Sequence, residues 1–321
     1  MALDLHALPK LRDGLSYLYA EHVRVEQTTE AIELRDKEGR TSVPVAALGV
    51  LLLGPGSTIT HAAVRALVDN GCSIGWLGEQ GVRCYAQGTG ETHSARHILR
   101  QAELLCNPDT RAMVVRRMYA YRFGYQPHAE LSLNQIRGME GVRVRDTYAE
   151  MSRTHGVPWE GRSYDRSQWG RSDPINRALS AANACLNGVC HAGIVSGGYS
   201  PALGFIHTGK MLSFVWDIAD LYKTEIVVPV AFAAAGASTE DVERRVRHTL
   251  RDKFRESKLL ARVSRDLLRL FDLSEDEVDP YETDAAAPGD IWDGDKLVTH
   301  TVDLLPADFT RWSPMTSNQF E

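Results

Sequence analysis

Two carboxylates three residues apart are the first feature of this sequence that could carry out chemistry. Asp217 and Asp220 lie in the segment SFVWDIADLYK, and on a helix this spacing places both side chains on one face. Ten residues before Asp217, His207 lies in GFIHTGK, a turn bounded by glycines. Imidazole and carboxylate groups are ligands for divalent cations. A solvated acidic stripe and a structural histidine are the simpler interpretations of the separate parts.

Glu140 is a fourth candidate, in the segment RGMEGVRVR of a long helical pattern. Gly138 and Gly141 flank it, and each costs about 1 kcal/mol relative to alanine inside a helix. A helix that keeps both glycines is expected to have a second backbone close to it, either the His207 turn or a phosphate backbone. The alternative is an exposed ion pair between Glu140 and Arg143.

Basic residues are concentrated near these acids. Residues 243–269 contain 10 Lys or Arg and 4 Asp or Glu. Arginine and lysine contact phosphates without reading base sequence, although a solvated helix face is the alternative for any single residue. The basic residues expected to contact nucleic acid are Arg116, Arg117, Arg122, Arg137, Arg143, Arg145, Arg244, Arg247, Arg251, Arg255, Lys258 and Arg262.

Together these residues predict metal-dependent chemistry on a phosphodiester. A cation held by Glu, His and Asp side chains polarises the phosphate and stabilises charge during an in-line displacement. A histidine ligand favours Mn²⁺ without excluding Mg²⁺. The sequence contains no G-x-x-x-x-G-K-[ST] and no G-x-S-x-G, which argues against a P-loop NTPase and a serine hydrolase.

The net charge of −6 conceals an uneven distribution. Residues 272–321 contain 13 acidic and 2 basic residues, whereas residues 1–271 contain 29 acidic and 34 basic residues. A basic body with an acidic tail is typical of nucleic-acid-binding proteins, although solubility alone could also explain it.

The composition indicates a globular, reduced, cytoplasmic protein. Hydrophobic residues make up 43% and charged residues 24% of the 321 residues. The longest apolar runs, 46–54 and 226–236, are too short to span a bilayer, and the N-terminal segment lacks the apolar core of a signal peptide. None of the five cysteines forms a C-x-x-C pair, so we expect neither a zinc site nor a disulfide framework.

Residue periodicity predicts an α+β protein with a small β-rich domain (residues 1–90), a larger helical domain (91–275) and an acidic, flexible tail (276–321). Strands are expected at 16–27, 31–35, 41–45, 50–53, 73–77 and 82–86, with one helix at 61–69 and a linker at 87–94. Further helices are expected at 95–105, 109–123, 132–155, from 174 to a stop at 197–198, 212–223 and 240–271.

Several segments, spread over roughly residues 10–270, match one known family. They are PGSTITHAAVRAL, GVRCYA, RRMYAYRFG, QIRGMEGVRVRDTYA, INRALSAANACLNGV, GFIHTGKMLSFVWDIADLYK and RRVRHTLRDKFRESK. The chain resembles the universal CRISPR-associated nuclease-integrase of spacer acquisition, and it is most similar to the branch found with type I-E systems. The GMEG and HTGK…DIAD pieces, in this order and separation, are the most specific part of the resemblance.

The resemblance implies a β-sandwich-like N-terminal domain and an all-α catalytic domain. It places Glu140, His207 and Asp220 on the ligands of Mg²⁺ or Mn²⁺, and Asp217 on an adjacent active-site acid. DNA contacts are implied for Lys210, which falls beside the ligand histidine, and for Arg65 and Arg83. Relatives often carry tyrosine at the positions of Asn187 and Trp216.

The resemblance also implies partners and a reaction. The family acts as homodimers, two of which are bridged by a dimer of a small companion protein. The complex binds a short foreign duplex and joins its 3′ ends to the repeat DNA of a CRISPR array.

Three other functions remain open from the sequence. A plain metal-dependent nuclease would cleave branched or repair-intermediate DNA with the same ligands, without joining strands. A non-catalytic DNA-binding scaffold would use the acids structurally. A tyrosine recombinase would use Tyr164, Tyr199 or Tyr222 as its nucleophile, and it would leave the acidic cluster unexplained.

Overall fold

The first part of the chain forms two four-stranded sheets. The computed structural model describes residues 17–29, 31–78, 84–88, 95–162 and 173–273. In the first sheet the order is β1 (Tyr17–Ala20), β5 (Val50–Leu53), β7 (Ser73–Leu77) and β8 (Cys84–Gly88), with only β8 antiparallel to its neighbour. In the second sheet the order is β4 (Arg40–Pro44), β3 (Ala31–Arg35), β2 (Arg24–Gln27) and β6 (Thr58–Ile59).

The first sheet is covered on both faces, which explains the uninterrupted apolar sequence of β5. Leu51 and Leu53 face a core shared with the second sheet and with helix α1 (His61–Asp69). Val50 and Leu52 belong to the core of the helical region. Because successive strand residues point to opposite faces, one sheet joins the β-rich region to the helices that carry the candidate site.

Eight helices make up the described part of the chain after residue 95. They are α2 (Arg96–Cys106), α3 (Pro108–Phe123), α4 (Leu133–His155), α5 (Pro174–Ser196), α6 (Ser213–Tyr222), α7 (Val228–Ala237), α8 (Val242–Glu256) and α9 (Leu259–Phe271). Ser132 and Gln135 form the predicted capping box of α4, and Asp173 caps α5 ahead of Pro174.

Helix α5 lies at the centre of the helical region and packs against α6, α7, α8 and α9. A Cβ atom on Gly193 would lie 2.7 Å from Val263 of α9, so the small residues of α5 allow close packing. Pro174–Val195 is long and apolar enough to cross a membrane, but 67% of that window is buried inside the protein. This burial is typical of a central helix in a folded core.

The predicted α+β class is confirmed, and most predicted elements are present. Three predictions of local structure were wrong, and the helical segment after Lys223 was not predicted. The strand at 16–27 is divided into β1 and β2 around residues 21–23, and the predicted linker starts inside β8, at Gln87. The apolar run after Lys223 forms a π-helical turn, Lys223–Val227, followed by α7. The helix at 240–271 is interrupted at Lys258, whose φ of 48° breaks the helix although its sequence pattern continues.

Candidate active site

Glu140 lies on α4 with its carboxylate turned into the protein. The residue is only 5% exposed, although the residues on either side of it in the helix are more accessible. Arg143, one turn further along, donates from Nε to Oε2 over 2.8 Å and from Nη2 to Oε1 over 2.9 Å. The ion pair between Glu140 and Arg143, which the sequence offered as an exposed alternative, is therefore present. Its carboxylate is nevertheless buried, and Arg143 binds it in a bidentate manner.

His207 is carried by a loop that several helices hold in place. Gln101 of α2 donates to the carbonyls of Ser200 and Leu203, and Arg111 of α3 donates to the carbonyl of Phe205. A Cβ atom on Gly204 would collide with the His207 carbonyl oxygen, so the glycine at this position permits the tight turn.

Asp217 is fully buried beneath that loop, and both of its carboxylate oxygens contact groups of the loop. Its Oδ2 accepts backbone N–H groups of Phe205 and Ile206, at 2.6 and 3.0 Å. Its Oδ1 accepts the His207 N–H at 2.9 Å and lies 2.7 Å from His207 Nδ1. Asp217 therefore positions the loop and the imidazole, which directs Nε2 away from Asp217.

The contact with Asp217 raises the pKa of His207 above its usual value of 6.5, because the carboxylate favours the charged imidazolium. Partial burial opposes this rise, the nearby Asp220 carboxylate adds to it, and Arg122 opposes it. The Trp216 ring contacts the imidazole edge-on, with ring centroids 5.9 Å apart. Trp216 thus packs against the candidate site.

Asp220 lies one turn after Asp217 on α6 and faces Glu140 across a guanidinium group. Arg122, near the end of α3, places Nη2 at 2.6 Å from Glu140 Oε1 and 3.6 Å from Asp220 Oδ2. Lys223 lies 3.4 Å from the other Asp220 oxygen. The structure therefore brings Glu140, His207, Asp217 and Asp220 together around Arg122.

These donors fit a divalent cation in type but not as a preformed metal site. One imidazole and two carboxylates suit Mg²⁺ or Mn²⁺. In the ranges that the structure describes, however, no three His, Cys, Asp or Glu side chains are grouped closely enough to hold a metal ion. The guanidinium of Arg122 lies between the two carboxylates that would contribute to such a group.

One of the two explanations predicted for the glycines beside Glu140, close packing against the His207 turn, does not hold. A Cβ atom on Gly138 or Gly141 would meet nothing within 4 Å, so the His207 turn does not approach them. Both glycines lie on an exposed face of α4, together with the exposed side chains of Arg137 and Arg145. Of the two predicted causes, only approach by a group outside this chain is compatible with that arrangement.

The predicted DNA-binding residues divide into two groups. Arg143 lies in the site, and the exposed Arg137 and Lys210 lie three residues from Glu140 and His207 respectively. Away from it, Arg65 is an exposed residue on α1 paired with Asp69, and Arg247, Arg251 and Arg255 lie on α8. Arg83 falls outside the described residues.

Three arginines predicted to contact nucleic acid serve the fold instead. Arg262 contacts the Tyr121 hydroxyl and pairs with Glu225. Arg116 donates to the carbonyls of Ala129 and Leu131. Arg117 donates to the carbonyl of Leu270 at 2.9 Å, which ties α3 to the end of α9.

The tyrosines considered as recombinase nucleophiles are poorly placed for that role. Tyr222 is fully buried, and its hydroxyl donates to Asp266 at 2.8 Å. Burial is the main reason that the pKa values of Tyr222 and Tyr199 lie above their usual range, which disfavours a phenolate nucleophile. Tyr164 lies outside the described residues.

Sequence reasoning grouped Arg122 with surface arginines and missed its position between two acids. Its spacing from Val115 and Tyr119 places it on the buried face of α3, a signal that a cation there needs a buried partner. The network of Tyr121, Tyr222 and Asp266 was also missed, because it joins three helices that are distant in sequence.

Known proteins similar to this chain have a fold consistent with the one described above. The family model for CRISPR associated protein Cas1 matches residues 16–128 and 125–253. CRISPR-associated endonuclease Cas1 2 of Thermus thermophilus is 56% identical over 295 residues, covering 91% of this chain and 90% of the relative. CRISPR-associated endonuclease Cas1 of Escherichia coli is 44% identical over 262 residues, covering 81% and 86%. A crystal structure of a TtCas1–DNA complex is 57% identical with a TM-score of 0.69, covering 82% and 99%.

The two-sheet region, the helical region and the cluster of Glu140, His207, Asp217 and Asp220 define an α+β protein with a charged candidate active site in its helical part. The chain belongs to the Cas1 family of CRISPR-associated proteins. The prediction that it is an endonuclease is confirmed by relatives at this level of identity.

Proposed function

We propose that this protein joins short foreign duplexes to the repeat DNA of a CRISPR array, using Mg²⁺ or Mn²⁺. The observation that carries the proposal is the grouping of Glu140, His207 and Asp220 around Arg122, with Asp217 locking the histidine. We assign the protein to the type I-E branch on the sequence segments that carry the resemblance. It acts in the cytoplasm as a homodimer, with a small companion protein.

Glu140, His207 and Asp220 would hold the cation, with the imidazole bound through Nε2 because Nδ1 faces Asp217. When bound, such a cation stabilises the charge that develops on a phosphate during in-line displacement. Arg143 keeps the Glu140 carboxylate oriented, and its contact with the Thr224 hydroxyl at 3.2 Å fixes it to the π-helical turn. The protein's share of the chemistry is therefore the orientation of charged groups at one phosphate.

The surfaces around the site support a duplex DNA substrate. The exposed glycines of α4 let a phosphate backbone approach closely, and the exposed Arg137 and Lys210 lie three residues from Glu140 and His207 respectively. A relative 57% identical to this chain has been crystallised as a DNA complex. Arg65, Arg83, Arg247, Arg251 and Arg255 are proposed to extend the phosphate contacts.

Strand transfer keeps the number of phosphodiester bonds constant, so the reaction needs no separate energy source. The oxygen of the donor 3′-hydroxyl forms a bond to phosphorus of the repeat strand, and the phosphorus bond to the original 3′ oxygen breaks. The proton lost by the donor hydroxyl is matched by the one gained by the released 3′ oxygen. One phosphodiester forms for each one broken, which agrees with a chain that lacks a nucleotide-binding P-loop motif.

The test is an integration assay with the protein, its companion, a short duplex and supercoiled plasmid carrying the repeat. Joined donor is expected with Mg²⁺ or Mn²⁺ and without any nucleotide. Donors that end in a 3′-phosphate or a dideoxynucleotide should fail, because neither offers a 3′-hydroxyl. Nicked plasmid without joined donor, or equal reaction of blocked donors, would show that the protein is a plain nuclease.

A further inference from the structure

Arg122 holds together the two carboxylates that the proposed function assigns to a cation. Its Nη2 lies 2.6 Å from Glu140 and 3.6 Å from Asp220. The Arg122 and Glu140 side chains are 9% and 7% exposed, and that of Asp220 is 21% exposed. At this burial the pairing is weakly screened by solvent, so a single guanidinium offsets much of the repulsion between the two acids.

Arg122 differs in this respect from Arg143, the other guanidinium at the site. Arg143 contacts both oxygens of Glu140 and is anchored to Thr224. Arg122 spans Glu140 and Asp220, which are on different helices, and thus lies where a cation shared by the two acids would lie. Two positive groups cannot share that space without strong repulsion.

The surroundings of Arg122 offer its side chain a second position. Its Nε is buried without a hydrogen-bond partner in the described structure, so the present arrangement leaves a donor unsatisfied. A cavity of about 320 Å³ adjoins the guanidinium. Its lining is mostly polar and includes the Thr147 hydroxyl, whereas the Glu225 carboxylate and the Thr224 hydroxyl in the same lining already accept from Arg262 and Arg143.

We propose that Arg122 and the divalent cation compete for Glu140 and Asp220. In the metal-free protein Arg122 stabilises the two acids, and on cation binding its guanidinium moves into the adjoining cavity. Arg122 therefore lowers the affinity of the site for the cation while it raises the stability of the metal-free fold. This inference rests on the cation site of the proposed function.

The test is calorimetric titration of the full chain with Mn²⁺ after removal of metal by a chelator. Arg122→Gln should lower the Mn²⁺ dissociation constant by about tenfold or more, since a unit charge beside the cation is removed. The melting temperature of the metal-free variant should fall. Arg117→Gln is the matched control, because it makes the same change on the same helix at a residue that contacts Leu270 and Asp272. Its Mn²⁺ affinity should equal that of the wild type.

An Arg122→Gln affinity equal to or weaker than that of the wild type would overturn the competition. If Glu140→Gln then still abolishes Mn²⁺ binding, the cation site of the proposed function stands and only the competition fails. If neither the wild type nor Arg122→Gln binds Mn²⁺, both are wrong. Should Arg122→Gln fail to fold, Arg122→Met replaces it, because its unbranched side chain carries no charge. Mn²⁺ binding by that variant no tighter than that of the wild type would again overturn the proposal.

Discussion

The acids around Arg122 and the arginines along α8 are two charged regions of the same helical domain, built in opposite ways. Glu140 and Asp217 are buried, and each of their oxygens has a partner within 3.0 Å. On α8, the Arg251 and Arg255 side chains are 62% and 77% exposed, and both share Asp252 at 3.5 and 3.8 Å.

This difference separates groups that act on the reacting phosphate from groups that attract DNA by their charge. A group that acts on one phosphate must be held in a fixed position, so losing a single contact removes the function. Phosphate contacts on a surface act through the sum of their charges, so each one contributes a limited share. Substitutions in the first region should therefore have large effects singly, and those in the second should have graded, salt-dependent effects.

The largest effect is expected from the three proposed ligands. Glu140→Gln, Asp220→Asn and His207→Ala should each lower DNA cleavage by roughly 10³-fold or more, beyond the 10- to 100-fold typical of groups behind the ligands. Cleavage of labelled DNA with Mn²⁺ present measures this effect. Glu103→Gln, which removes a carboxylate paired with Arg100 away from the site, is the control. Near wild-type cleavage by any one of the three variants would exclude that residue from the site.

A smaller but still specific effect is expected from Asp217→Asn. An amide has one carbonyl oxygen, so its NH₂ group must face at least one of the N–H donors that Asp217 now accepts. We expect a loss of about 1–3 kcal/mol in stability and of about 10- to 100-fold in activity.

The same substitution should lower the pKa of His207 toward 6.5, as measured by NMR titration of the metal-free protein. A raised histidine pKa stabilises the fold fully below the unfolded value, and this contribution is lost as pH rises through the folded pKa. The stability difference between wild type and Asp217→Asn should therefore shrink above neutral pH. Asp266→Asn, at a buried acid that contacts tyrosine hydroxyls, is the control. An equal change of the His207 pKa in both variants would contradict the positioning role of Asp217.

The local parts of this site could be predicted from the sequence, and the long-range parts could not. Helix spacing brought Asp217 and Asp220 together, and the glycines around His207 predicted a turn. Neither pattern shows that Asp217 turns inward to the loop while Asp220 turns toward α3. That difference depends on how the loop packs between α2, α3 and α6.

The same limit applies to the fold. The predicted bounds of β5, α1 and α4 match the structure because caps and turns are encoded locally. The interruption at Lys258 has no glycine or proline to mark it, and the π-helical turn after Tyr222 is marked only by Pro229, two residues beyond its end. There the chain changes direction for packing, as where Arg262 pairs with Glu225 of that turn across helices.

The arginines of α8 should show the graded behaviour. Changing Arg247, Arg251 and Arg255 together to alanine should weaken duplex binding and reduce the slope of log affinity against log salt by about 0.9 for each lost contact. Fluorescence anisotropy over a range of salt concentrations measures this slope. A triple change of the exposed Lys37, Arg40 and Arg153 removes the same charge elsewhere on the surface and is the control. Equal slopes for the two triple variants would place α8 away from DNA.

The smallest effect is expected from removing residues 281–321, which lie outside both regions. This segment contains 8 acidic residues, 2 basic residues and three prolines, Pro288, Pro306 and Pro314, and its sequence has no helical periodicity. The truncated protein should therefore keep its melting temperature to within a few degrees and its Mn²⁺ affinity unchanged.

Removing the acidic charge of residues 281–321 should tighten duplex binding slightly at low salt, and this gain should vanish as salt screens the charge. A large fall in melting temperature would show instead that Trp292 or Trp312 contributes to the core. A gain in affinity that persists at high salt would mean that the segment acts on the duplex-binding surface through specific contacts, and the graded electrostatic description of that surface would then be incomplete.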